Sequence, residues 1–360
     1  MDEQAMPAKT VDSEAQAVDV ALRVAVASTA CLLISEIFQL KYPALGVYSV
    51  HLVMVQFSFS AFQKGVERVF GRISGVAYGL VLVELFHNAP YLFLFLMIVG
   101  QLFFFYVYAS GRLAYAALNG GLFTAILGAL GMADYPSAAP FAWDITPQLV
   151  LGSGMAALVN WTTGAERTLV IHLEGDPFVP IRLDWLNTSL MLTTIQMATV
   201  FAALLLDFPL VPTCISATLL AVSPAGAGIA QKGYQRMLGA LMGGFAAFVA
   251  LLVLGLLPYV PLLLALVFAS MFVAAYKVRT SPNYSYTFLQ AGLVMPLVLL
   301  SPEGGLGTLE AGTNRMVGVL VGLLVAELIA LGWPRVGPPP RPSAPAPLPV
   351  LSSSEEDDDS

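Results

Sequence analysis

The chain has 360 residues, of which 58% are hydrophobic and only 11% charged, against roughly a quarter charged in an ordinary soluble domain. Apolar stretches fill it from about residue 22 to about 333, which leaves little for a folded soluble domain and marks an all-α integral membrane protein. The net charge of −7 comes mostly from acidic ends, Asp2 to Asp19 and the closing "SSSEEDDDS", so it says nothing about substrate, and no basic patch is present to bind nucleic acid.

In chain order, residues 1–21 form an acidic arm. The apolar run behind it lacks a basic leader and is too long for a signal-peptide core, so it is expected to be a retained helix. Backbone groups in lipid must be satisfied within a segment, and the alternation of a β-barrel is missing, so each apolar run is expected to be helical. Twelve are expected, at about 22–40, 44–60, 70–87, 90–110, 112–131 and 148–165 in a first membrane repeat over 22–165, and at 188–206, 210–226, 237–257, 259–276, 284–301 and 314–333 in a second over 188–333. The second and eighth are short and interrupted, and need not span fully. Residues 166–187 read as a cytoplasmic linker, and the Pro-rich acidic tail at 334–360 cannot bury a core.

Orientation follows from the sixteen Lys and Arg residues. With the N-terminus inside, fourteen fall in cytoplasmic segments and only Lys41 and Arg315 fall outside. The positive-inside rule then puts both termini in the cytoplasm. Cys31 and Cys214 both lie in apolar runs, so neither a disulfide framework nor a Cys-ligated zinc site is expected.

The chain repeats itself. "FQKGVERVFGRISG" at 62–75 returns as "AQKGYQRMLGALMGG" at 230–244, matching Gln63, Lys64, Gly65, Arg68, Gly71 and Gly75 with Gln231, Lys232, Gly233, Arg236, Gly239 and Gly243. "KYP" at 41–43 answers "DFP" at 207–209, and "AYAALNGGL" at 114–122 answers "SYTFLQAGL" at 285–293. Halves of six helices have the same orientation, so they are expected to be parallel and related by an axis along the membrane normal. A fainter echo, Arg315-x-x-Gly318-x-x-x-Gly322, begins the last helix from the opposite side.

Two readings fit the repeated motif. Glycines four apart let helix backbones approach closely, so with its cations it serves as a positive-inside anchor and a packing seam. Alternatively Lys64, Arg68, Lys232 and Arg236 converge on the axis as a basic entrance that concentrates organic anions. Tyr115 with Asn119, and Tyr286 with Gln290, each share a helix face. They either hold a carboxylate and ring or act as interhelical glue.

These residues carry a family resemblance. "ALRVAVASTACLLISEIFQLKYPALGVYSVHLVMVQ" leading into "FQKGVERVFGRISG", with its partial copy in the second half, resembles the fusaric acid resistance (FUSC) or aromatic acid exporter superfamily over most of residues 20–333. That superfamily includes p-hydroxybenzoate efflux proteins and, more remotely, plant aluminium-activated malate transporters. The resemblance implies secondary export of aromatic or other small organic acids, often with a periplasmic adaptor of the membrane-fusion type. Many relatives carry a large cytoplasmic domain, for which the short linker here leaves no room.

Ionisable groups at membrane depth require a reason. Glu36, His51 and Glu327 are candidates for proton coupling, since buried carboxylates and imidazoles can pass protons, with a structural role as the alternative. Glu84, His87 and Asp207 fit the headgroup region. His51 lacks companions at ligand spacing, so neither metal nor cofactor is expected. No nucleophile–base pair or phosphate loop points to an enzyme. The chain reads as a transporter in a lipid bilayer, with a passive anion channel or a non-transporting subunit as alternatives. A homo-oligomer is compatible with either.

Overall fold

Hydrocarbon offers no partners to a peptide group, and the chain meets this with helices over most of its described length. The computed structural model describes residues 14–55, 61–111, 113–163, 182–218 and 229–334. Among them are twelve α-helices: α1 (Glu14–Ile37), α2 (Pro43–Val55), α3 (Ala61–Phe86), α4 (Pro90–Ala109), α5 (Ala114–Ala133) and α6 (Tyr135–Thr162), then α7 (Leu183–Leu205), α8 (Leu210–Thr218), α9 (Ile229–Leu256), α10 (Val260–Thr280), α11 (Ser285–Leu299) and α12 (Leu309–Gly332). Eight of these, α1, α3, α4, α5, α7, α9, α10 and α12, are long and apolar enough to cross a membrane, and α2 is a shorter apolar helix. The acidic arm before residue 14, most of the 166–187 linker, the ends expected for the second and eighth helices, and the tail beyond 334 lie outside the described residues.

Several helices begin earlier than their apolar runs. α3 starts at Ala61 and α9 at Ile229, where starts near 70 and 237 were expected, because the Gln-Lys-Gly-x-x-Arg segment is itself helical. Hydropathy scores a Lys or Arg as an end, whereas here Lys64, Arg68 and Arg236 are buried among other helices. α6 begins at Tyr135, not 148, and keeps Pro140 and Pro147 inside it. Proline reads as a breaker in sequence but is tolerated in membrane helices whose neighbours re-satisfy the freed carbonyls. α1 likewise starts at Glu14 instead of 22.

The helix contacts come in matched pairs. α3 packs on α5 and α6 as α9 packs on α11 and α12, α2 on α6 as α8 on α12, and α1 on α2 and α6 as α7 on α8 and α12. Between the two sets, α1 meets α10 as α4 meets α7, and α2 meets α11 as α5 meets α8. Every residue of α2 is buried, and most of α5 and α11, whereas α4 and α9 expose Phe95, Phe103, Phe245 and Leu252.

The glycine rows cause the closest contacts. A Cβ at Gly71 would stand 1.9 Å from the Ala116 carbonyl oxygen, and one at Gly75 2.4 Å from that of Gly120. In the second set the same atoms would meet Thr287 O at 2.2 Å from Gly239 and Ala291 O at 2.4 Å from Gly243. One pair is exchanged: Gly46 makes room for the Gln148 side chain, whereas Gly318 makes room for that of Thr213. Gly152 and Gly322 then lie against the Gly46 and Thr213 carbonyls. The small residue has changed helices while the fit between α2 and α6, and between α8 and α12, is kept.

Candidate functional site

Lys64, Arg68 and Arg72 follow one another at four-residue spacing, a single stripe of α3, about 4, 10 and 16 Å along a helix about 39 Å long. They are only 2%, 2% and 3% exposed, so the cations stand inside the bundle and not around an open rim. The Arg68 guanidinium lies 5.1 Å from the Tyr48 ring centroid and that of Arg72 5.5 Å from Phe123. Arg72 Nε donates to Asn119 Oδ1 at 3.2 Å, and Nη1 donates to Ser49 Oγ at 3.1 Å. Asn119 in turn donates its amide to the Tyr115 carbonyl at 2.7 Å, so Tyr115 and Asn119 meet the cation stripe together. Tyr48, Tyr115 and Tyr286 stand within electrostatic range of one another, the first two of Arg68 as well. Phenols from α2, α5 and α11 thus converge on α3.

The matched place in the second set is different. Arg236, 1% exposed, lies 5.1 Å from the Tyr286 ring centroid, a stack on α11 where that of Arg68 is on α2, and its Nη1 is 2.5 Å from Glu327 Oε1. A Cβ at Gly233 would fall 2.7 Å from that carboxylate, so the glycine opens the space that Glu327 fills. Ala240 stands where the repeat would put a second Arg72. Gln290, the counterpart of Asn119, is buried with its Nε2 unpartnered, since the guanidinium that engages Asn119 has no equivalent. Lys232 belongs to α9, and its side chain lies outside the described residues.

Among the described residues no carboxylate comes within the 4.0 Å ion-pair limit of Arg68 or Arg72. Charges inside a bilayer carry a penalty of at least about 2.5–3.5 kcal/mol each on insertion scales, and arginine stays protonated in proteins. Phenol and phenyl faces and neutral oxygens offset part of that penalty, but the pair keeps its net charge.

The structure does not bring Glu36, His51 and Glu327 together. Glu36, at the end of α1, accepts from the Gly305 N–H at 2.9 Å, His51 is fully buried with its ring against Gly292 of α11, and Glu327 pairs with Arg236. Tyr135 donates to Glu84 at 3.0 Å and stacks on His87. Arg72, Tyr48 and Ser49 were not singled out from sequence. Arg72 was legible one turn beyond Arg68, but its absence from the second copy hid it from a search for repeated residues.

The family model described as fusaric acid resistance protein-like matches residues 29–169 and 197–329, most of the chain. No curated protein and no solved structure matches it.

Proposed function

Because the chain belongs to the fusaric acid resistance protein-like family of membrane proteins, we propose that it is an inner-membrane secondary transporter exporting small aromatic or other organic acids, with the anion held at Arg68 and Arg72. The observation that carries this reading is the pair of buried guanidiniums with no described carboxylate beside them. An organic carboxylate supplies the missing charge, arginine presents a fork of donors that matches it, and the phenol and phenyl faces of Tyr48, Tyr115 and Phe123 accept a ring. The matched helix contacts support twelve spans in two parallel six-helix repeats, the anion path running where α2, α5, α8 and α11 meet. The distribution of Lys and Arg favours cytoplasmic termini.

Proton coupling is assigned to Glu327. A carboxylate paired with Arg236 holds that cation in place; a proton arriving on Glu327 releases Arg236 from the pair, and the proton leaves when the pair re-forms. Glu36 and His51 are secondary candidates, and a periplasmic adaptor or a second copy completes an export route without entering the anion site.

The test is uptake of radiolabelled 4-hydroxybenzoate into everted membrane vesicles. Arg72→Gln, at normal membrane abundance, should lower uptake at least tenfold, and Arg72→Lys should restore part of it. Uptake at the normal rate by both Arg68→Gln and Arg72→Gln would remove the anion from this site.

A further inference from the structure

The Arg-x-x-Gly-x-x-x-Gly spacing occurs a third time, at Arg315, Gly318 and Gly322 of α12. Its glycines do what those of α3 and α9 do. A Cβ at Gly318 would stand 2.5 Å from Thr213 Oγ1, and one at Gly322 2.2 Å from the Thr213 carbonyl, so the row seals α12 against α8. In all three copies the arginine lies one turn before the seal.

Arg315 opens onto a cavity of about 200 Å³ at the end of the bundle away from Arg68. The cavity lies between the two matched turns, with Tyr42 and Leu45 from one and Pro209 and Leu210 from the other, and Phe141 and Leu297 close its sides. Tyr42 meets Phe141 edge to face at 5.1 Å. Tyr42 is held in the left-handed region at φ 59°, a strained conformation for a non-glycine residue that recurs at ligand sites. Arg315 Nη1 donates to the Leu300 carbonyl, which fixes the guanidinium at the wall. No described carboxylate lies within ion-pair distance of it.

We infer that this cavity is a second binding site, for a single-ring aromatic monocarboxylate, with Arg315 on the carboxylate and the ring between Tyr42 with Phe141 and Pro209 with Leu210. Pockets for drug-sized ligands run to about 300–1,000 Å³, and one of about 200 Å³ suits a single ring. One cation in a mostly apolar lining favours one carboxylate over two, since a second carboxylate would be buried without a counter-charge. The inference takes its ligand class from the transport reading above, but places it at separate residues and a separate depth, as a station through which the acid passes after the Arg68–Arg72 site.

The experiment uses the full chain in lipid nanodiscs, with both faces open to reagent, and Leu210→Cys as reporter. The native Cys31 and Cys214 are buried, so maleimide labelling should report the cavity wall. Benzoate should slow labelling at least fivefold, and cyclohexanol or acetate should leave it unchanged. Arg315→Gln should abolish the protection and Arg315→Lys should retain part of it, while Arg72→Gln should preserve it. Protection that survives Arg315→Gln, that acetate reproduces, or that Arg72→Gln removes equally would overturn the second site. Loss of uptake in the vesicle assay with intact protection here would leave this site standing and point to a failure at Arg72.

Discussion

The two sets of six helices share a seam and differ in charge. Gly71 and Gly75 meet α5 as Gly239 and Gly243 meet α11, to within a few tenths of an ångström, and Arg68 and Arg236 each stack on a tyrosine at 5.1 Å. Beyond that the halves part: the first adds Arg72 and keeps its positive charge, whereas the second replaces it with Ala240 and neutralises Arg236 with Glu327. Packing constrains each half in the same way, because both must close a helix pair. Charge need not follow, since a symmetric pair of unneutralised buried cations would double the desolvation penalty.

The largest expected effect breaks the ion pair. Glu327→Gln leaves Arg236 buried beside a neutral amide, which should cost about 3–5 kcal/mol and lower the Tm of the solubilised protein well below that of Arg72→Gln, which removes a charge that has no described counter-ion. Equal losses in the two variants would mean that the halves do not differ electrostatically. Next come the seams. Gly71→Val and Gly239→Val each drive a side chain into a neighbouring backbone, and overpacking costs about 1–3 kcal/mol or more. Both should lower Tm and monodispersity on size exclusion to the same degree, and a large disparity would show that the repeat is not structural in both halves. The smallest effect belongs to Lys41→Ala. The Lys41 Nζ–Asp144 Oδ2 pair, at 3.0 Å, is largely exposed, and such pairs contribute little. The hydrogen bond to Asp144 raises the Lys41 ammonium above its ordinary 10.5, so whatever the pair contributes is present at neutral pH and is lost only as the pH climbs through that raised value. Tm at pH 7 should not move; a shift matching that of the glycine variants would invert this order.

How much was legible follows the same division. Twelve apolar runs, the duplicated polar sentence and the glycine spacing were readable because hydropathy and repetition are properties of neighbours in the chain. Helix starts at α3, α6 and α9 were misplaced because a buried Arg or a tolerated Pro looks like an end when only its own side chain is considered. The pairing of Glu327 with Arg236 joins residues 91 positions apart, and neither carries a local sign of the other.

By itself the amino-acid sequence determined that this is a helical membrane protein with a duplicated polar, glycine-spaced motif, since lipid forbids unsatisfied backbone and each run must solve that problem alone. Only the tertiary structure decided which of the copied cations keeps its charge, because a net charge depends on what lies across a helix interface. Gly233, which in sequence is one more glycine of the motif, determines it by leaving space for a carboxylate.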